Sequence, residues 1–200
     1  NKIGKLNSSV LNYKKAIELE PNFWKAYNNL SLIYSEKGDF QPAIRICQKA
    51  IDIEPKNPDA YNNLGVIFLK SKNYKKALEK TQKAIELKPN FVEAYNNLGN
   101  VFKEMKNYNQ AIYYYEKALK IKNDSSEIHN NIGIVQNLIG NYNKSIYHRK
   151  LAVKLDPNSI IFLESLLFDL NYSPDMSAEE IFKYYKQYDQ KFGLLHKHKW

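Results

Sequence analysis

The sequence predicts an all-α fold: a solenoid of antiparallel helical hairpins, closed by a C-terminal capping helical segment. Three observations carry this. Ala16, Ala50, Ala84, Ala118 and Ala152 recur at i, i+34, i+68, i+102 and i+136. A fixed period of roughly 20–50 residues is the mark of stacked supersecondary units. Within a unit, Tyr61, Leu64, Gly65 and Phe68 fall at i, i+3, i+4 and i+7, which is one face of a helix. Each unit then ends on proline, at Pro21, Pro55, Pro89 and Pro157, with Asn123 once in its place. Proline cannot continue a helix.

The columns place each element. Tyr27, Tyr61, Tyr95 and His129 open the packing face of the first helix. Leu30, Leu64, Leu98 and Ile132 follow, and Ser31, Gly65, Gly99 and Gly133 keep it narrow. Phe40, Tyr74, Tyr108 and Tyr142 begin the second helix. Ser9, Ala43, Ala77, Ala111 and Ser145 let it approach the first. Gly38 and Gly140 suit the turn between the two helices. The expected organisation is a partial repeat at 1–23 holding a second helix only, full repeats at 24–57, 58–91, 92–125 and 126–159, and capping helices at 160–200. The array starts mid-unit, with Gly4 in the turn column and Leu6 in the aromatic column, and the chain does not start with Met. Because a solenoid end normally carries a polar capping element, a longer natural protein is expected upstream. In the tail, residues 160–170 read as an apolar helix and Asn171 to Met176 as a turn around Pro174. Ser177-Ala-Glu-Glu180 is a capping box opening a helix to about Phe192. The tail is expected to differ in structure from the repeats.

Composition narrows the function classes. The chain has 200 residues, 44% hydrophobic and 26% charged, enough to bury a core and too apolar for a charged disordered tail. No run approaches the roughly 18–20 apolar residues that span a bilayer, and the first residues carry no signal-peptide segment. Cys47 is the one cysteine, so an internal disulfide is excluded and a reducing, cytoplasmic setting is expected. One Cys and four scattered His do not make a tetrahedral zinc set. The net charge of +9 is nearly all lysine, with Arg45 and Arg149 the only arginines. That surplus permits acidic partners without specifying nucleic acid. No Gly-rich phosphate loop occurs, and no Ser/His/Asp or Cys/His spacing points to a nucleophile and its base. No cofactor and no metal is expected, and the chain alone is not expected to be an enzyme.

The aromatic, Leu-Gly, aromatic, Ala, aromatic, Ala, Pro pattern over residues 7–159 resembles the tetratricopeptide repeat (TPR) family. The resemblance implies a right-handed superhelix that binds proteins or extended peptides. The tail run Leu166-Leu-Phe-Asp-Leu-Asn-Tyr-Ser-Pro-Asp-Met-Ser-Ala-Glu-Glu-Ile-Phe182, with Tyr188-Asp-Gln-Lys-Phe192, is similar to the junction after the repeats in SPINDLY-like bacterial O-linked N-acetylglucosamine transferases. That resemblance implies a substrate-recognition arm whose glycosyltransferase domain lies downstream. The alternative is a stand-alone TPR scaffold or adaptor.

Candidate contacts recur with the repeat. Asn28-Asn29, Asn62-Asn63, Asn96-Asn97 and Asn130-Asn131 sit at one place in each first helix. Asparagine is a poor interior helix residue, so its recurrence asks for a reason. The second of each pair points roughly 150° from the Tyr/Leu/Gly face. Asn29, Asn63, Asn97 and Asn131 therefore form a ladder facing away from the hairpin core. Side-chain amides both donate and accept, so a ladder of them binds peptide backbone without reading sequence. The resemblance to the transferases implies the same ladder. The competing explanation is duplication of an Asn pair along with the repeats. Asn28, Asn62, Asn96 and Asn130 lie nearer the hairpin seam. Leu32, Val66 and Ile134 lie three residues beyond the ladder, where they either meet a partner or pack against the next repeat. Cys47, in an inward column with Tyr13, Thr81, Tyr115 and Arg149, reads as a buried filler. His129 reads as a packing histidine. His196 and His198 read as a frayed or linker segment ahead of a metal site. The lysines of the second helices, such as Lys75, Lys76 and Lys83, read as a solvated outer face. Lys183, Lys186, Lys191, Lys197 and Lys199 are the residues that RNA or an anionic surface would touch, a reading disfavoured here.

Overall fold

The computed structural model describes residues 2–173 and 176–193, with side chains from Asn7 onward. Among these residues there are helices and no strands. Pro174, Asp175, His196, His198, Lys197 and Lys199 lie outside the described residues, as do the side chains of residues 4 and 6. The chain divides into two compact units, residues 1–106 and 107–200.

The first unit holds α1 (Lys2–Leu19), α2 (Trp24–Glu36), α3 (Phe40–Ile53), α4 (Pro58–Lys70), α5 (Tyr74–Leu87) and α6 (Val92–Glu104). Each helix packs antiparallel on the next. The first helices also pack directly on one another, α2 on α4 and α4 on α6, whereas no comparable approach links α1, α3 and α5. The first-helix layer is thus the shorter, inner arc of this unit. Small residues make the close approach: Ala26, Ala43, Ala50, Ala60, Ala77, Ala84 and Ala94 are all buried. Around them Leu64, Ile67, Phe68 and Val101 fill one core, flanked by Trp24, Tyr27 and Tyr61. α1 starts at Lys2 and is helical through residue 4, where the repeat pattern places a turn. A helix extends wherever each added residue gains one more hydrogen bond.

The turns follow one plan. Gly38 and Gly140 have positive φ, 84° and 80°, and so do Lys72 and Lys106 in the same column, at 61° and 59°. The two glycines advertise this backbone in the sequence; the two lysines hide it. Two of the first helices open on side-chain caps, while those headed by Phe23 and Phe91 have none. Asn57 accepts from the N–H of Asp59 and Ala60 ahead of Pro58, and Ser125 accepts from Ile128.

The second unit holds α7 (Tyr108–Ile121), α8 (Ser126–Leu138), α9 (Tyr142–Leu155), α10 (Ile160–Asn171) and α11 (Ala178–Phe192). The tail keeps the helical pair and packs it with different residues. α10 begins one full repeat period after α8, behind Ser159, the counterpart of the N-cap Ser125. α10 packs on α9 and α11 on α10, so the pair continues the hairpin alternation. Its residues hide this, because leucines replace the small residues of the repeat. Leu163, Leu166, Leu167 and Leu170 join Ile146 and Val153 of α9 in one core. Phe162, Met176, Ile181, Tyr184, Tyr188 and Phe192 close over it. Ser177 caps α11 through the N–H of Glu180.

Candidate functional site

Which residues face the inner arc of the first unit follows from helix geometry. Residues four apart share a face, so the stripe through the ladder position runs Lys25–Asn29 on α2, Asp59–Asn63 on α4 and Glu93–Asn97 on α6. A groove of about 490 Å³ opens there, lined by Trp24, Lys25, Asn28, Asn29, Asp59, Asn62, Asn63, Lys88, Phe91 and Glu93. The ladder accounts for two of these, Asn29 and Asn63, and its seam-side neighbours for two more, Asn28 and Asn62. It misses the charged residues one turn earlier and the aromatics at the helix N-termini. The signal is present in the sequence: Lys25, Asp59 and Glu93 stand at i−4 from each ladder Asn.

The eight candidate asparagines fall into distinct environments. Asn28, Asn62, Asn96 and Asn130 are all buried, at 5%, 6%, 7% and 7% exposure. Of the ladder residues Asn29 is exposed, Asn63 and Asn97 are half-buried, and Asn131 is buried. Asn97 and Asn131 do not line the groove, and Asn131 belongs to the second unit. Asn97 Nδ2 donates to Asn62 Oδ1 at 2.9 Å, joining α6 to α4. Asn130 Oδ1 is buried without a hydrogen-bond partner among the described residues. Leu32, Val66 and Ile134 are half-buried, and none of them lines the groove.

The groove is polar on its floor and charged on its rim. Two carboxylates and two ammonium groups line it. No ion pair engages Lys25, Asp59, Lys88 or Glu93 among the described residues. Lys88 Nζ sits 4.4 Å from the centre of the Phe91 ring and Lys25 Nζ 5.6 Å from that of Trp24. The lining offers amide donors and acceptors, aromatic faces and fixed charges of both signs. Cys47 lies behind it, fully buried. Its Sγ contacts the carbonyl oxygen of Ala60 at 3.4 Å, and burial pushes its thiol up to about 12. That is a packing cysteine with no thiolate to offer.

The second unit carries different chemistry at the same columns. Ile161, Ser165 and Phe168 of α10 and Tyr172 just after it stand one repeat period after Glu127, Asn131, Ile134 and Leu138, so the ladder column holds a serine there. Leu138, Ile161, Phe168 and Tyr172 are exposed. Behind them lies a buried polar network. Arg149 Nε contacts Asp169 Oδ2 at 2.6 Å. Asn137 Nδ2 donates to Asp169 Oδ1 at 2.9 Å, Ser145 Oγ contacts Asp169 Oδ2, and Ser145 also reaches the Gly133 carbonyl oxygen at 2.6 Å. Burial pushes the Asp169 carboxyl upward, against the pull of Ser145, Arg149 and Asn137. His129 and His148 meet Nδ1 to Nδ1 at 3.1 Å, one donating and the other accepting. Burial lowers both, His148 to about 4 with His129 and Lys144 adding to the effect. No group of three or more His, Cys, Asp or Glu able to hold a metal ion occurs among the described residues, and none of their helices is long and apolar enough to cross a membrane.

Comparison with known proteins agrees with the helical hairpins. Residues 58–91 and 92–125 each match a model described as the tetratricopeptide repeat. Residues 32–72 match a model described as the TPR repeat, and residues 12–45 match another tetratricopeptide repeat model. Together the matches cover more than half of the chain. No curated protein sequence matches it. Among solved structures, TTC0263, a thermophilic TPR protein of Thermus thermophilus, is 15% identical with a TM-score of 0.78. That alignment covers 85% of this chain and 93% of the other. MamA is 25% identical with a TM-score of 0.62, covering 78% of this chain and 91% of its own. YrrB, a TPR protein with an unusual peptide-binding site, is 18% identical with a TM-score of 0.58, covering 93% of each. What these chains share with the present one is the fold.

Proposed function

The chain belongs to the tetratricopeptide repeat family, and on that premise we propose that it is a binding module whose first unit holds an extended segment of a partner protein. The single observation that supports this is the groove lined by Asn28, Asn29, Asn62 and Asn63. Packed helices stand roughly 8–10 Å apart, and an extended chain advances about 3.3 Å per residue. Asparagines on neighbouring first helices therefore match peptide groups about three residues apart. Carboxamides satisfy both the N–H and the C=O of such a backbone, which gives affinity with little dependence on sequence. Lys25, Asp59 and Glu93 add side-chain preference at the same spacing. Substituting both Asn29 and Asn63 by Ala tests the reading. Loss of peptide binding with helical content retained supports it, and unchanged binding removes the ladder from the mechanism.

The finer reading is a substrate arm of a SPINDLY-like O-linked N-acetylglucosamine transferase. Its support is the tail run from Leu166 to Phe182. The matching family models end at residue 125 and do not reach that run. A stand-alone adaptor needs only the groove. A reading frame that continues into a nucleotide-sugar transferase domain decides for the arm, and a frame that stops at Trp200 decides for the adaptor. The lone, buried Cys47 suits a reducing compartment such as the cytoplasm.

A further inference from the structure

Asn62 lies deeper than the ladder residues, yet it lines the groove. Its Oδ1 accepts from Asn97 Nδ2 at 2.9 Å. That bond does more than join α4 to α6. A carboxamide has its oxygen and nitrogen on opposite sides, and Asn97 holds the oxygen toward α6. With the oxygen so engaged, the Asn62 NH₂ is the end of the amide left for the groove that Asn62 lines. Among the described residues it has no protein partner. One repeat earlier, Asn63 stands to Asn28 as Asn97 stands to Asn62, yet these two make no such bond. Asn28 Oδ1 receives only a long contact from Cys47 Sγ, at 3.9 Å. The asparagine pairs are therefore not equivalent.

We infer that Asn62 is the groove's donor to a carbonyl oxygen of a bound peptide, and that Asn97 is a positioning residue that sets which end of the Asn62 amide faces the groove. This rests on the peptide-binding reading above. The ladder then has two roles. Asn29 and Asn63 meet the ligand directly, while Asn97 acts through Asn62. One of its two side-chain N–H groups is already given to Asn62, Asn97 itself does not line the groove, and breaking that bond to reach a ligand would cost about as much as the new bond returns.

The test compares two substitutions at Asn97. Alanine removes the donor and leaves the Asn62 amide free to take either orientation. Aspartate can only accept, so it draws the Asn62 NH₂ toward α6 and turns Oδ1 into the groove. The probe is a fluorescein-labelled twelve-residue peptide selected on the wild-type chain from a random display library, with affinity read by anisotropy at low and high salt. The expected result is a loss of about tenfold or more for Asn97→Asp and only a few-fold for Asn97→Ala, at both salt concentrations. Helical content should stay unchanged in both. Asn62→Asp keeps the bond from Asn97 and places an acceptor in the groove, so it should lose affinity as Asn97→Asp does. Equal effects of Asn97→Asp and Asn97→Ala, or wild-type affinity in Asn62→Asp, overturn the positioning role while leaving peptide binding intact. A library that yields no binder for the wild-type chain overturns the peptide-binding reading, and this inference with it.

Discussion

Single residues in this chain answer to the repeat that places them, and their substitutions should report it. A Cβ added at Gly65 would collide with the Thr81 side chain and crowd the Ala77 carbonyl, so Gly65→Ala should lower stability by about 1–3 kcal/mol. Thermal unfolding checks this, and a midpoint equal to the parent's contradicts the packing. Lys72 sits at a φ of 61°. A left-handed backbone costs an L-residue roughly 1–2 kcal/mol, and glycine's extra chain entropy returns part of that. Lys72→Gly should therefore raise stability by about 0.5–1 kcal/mol, read from the same thermal midpoint. The small columns were legible because Gly65 and the alanines repeat at a fixed interval. The left-handed turn at Lys72 was not, because a lysine there conceals a backbone that only Gly38 and Gly140 advertise. His148 carries the clearest pH dependence. Its folded value of about 4 lies below the ordinary 6.5. Between those values the unfolded chain takes up a proton that the folded one refuses. Stability from this site is therefore complete above about pH 6.5 and is lost as the pH falls toward 4. Urea unfolding at about pH 7.5 and about pH 5 should show that loss, and His148→Phe should reduce it.

At the scale of elements, the tail hairpin is held differently from the repeats. In the first unit small residues bring helices together, and the sequence displays them in columns. In the second unit α10 meets α9 through leucines and through Arg149 and Asp169, with Asn137 of α8 and Ser145 of α9 satisfying the carboxylate. Arg149 and Asp169 lie on different helices and share no column, so nothing in the sequence announces the pair. Removing one partner leaves a buried charge alone. Asp169→Ala should cost about 3–5 kcal/mol, whereas the double substitution Arg149→Met with Asp169→Leu should recover most of it. Denaturant titration of the single and double variants decides, and an Asp169→Ala variant as stable as the parent contradicts the network. The register of α10 was legible at one point, the recurrence of serine caps at Ser125 and Ser159. Its leucines outweighed that signal.

For the whole molecule, the helical-repeat class was readable from the period alone, and the family models agree with it. The function is less legible, because one fold serves many partners, and 447 solved chains match this one. The groove narrows the choice. Of the eight candidate asparagines, four line it, and Lys25, Asp59 and Glu93 recur one turn before the ladder in the sequence without announcing a groove. The central claim is that a partner's extended backbone lies along α2 and α4 against these amides. The most direct measurement is an NMR titration of the full chain with a selected peptide, following the side-chain NH₂ resonances of asparagine and glutamine. The signals of Asn28, Asn29, Asn62 and Asn63 should shift saturably, with those of the exposed Gln48 on α3 and Gln82 on α5 still. Shifts confined to α3 and α5, or to residues after 106, would contradict it.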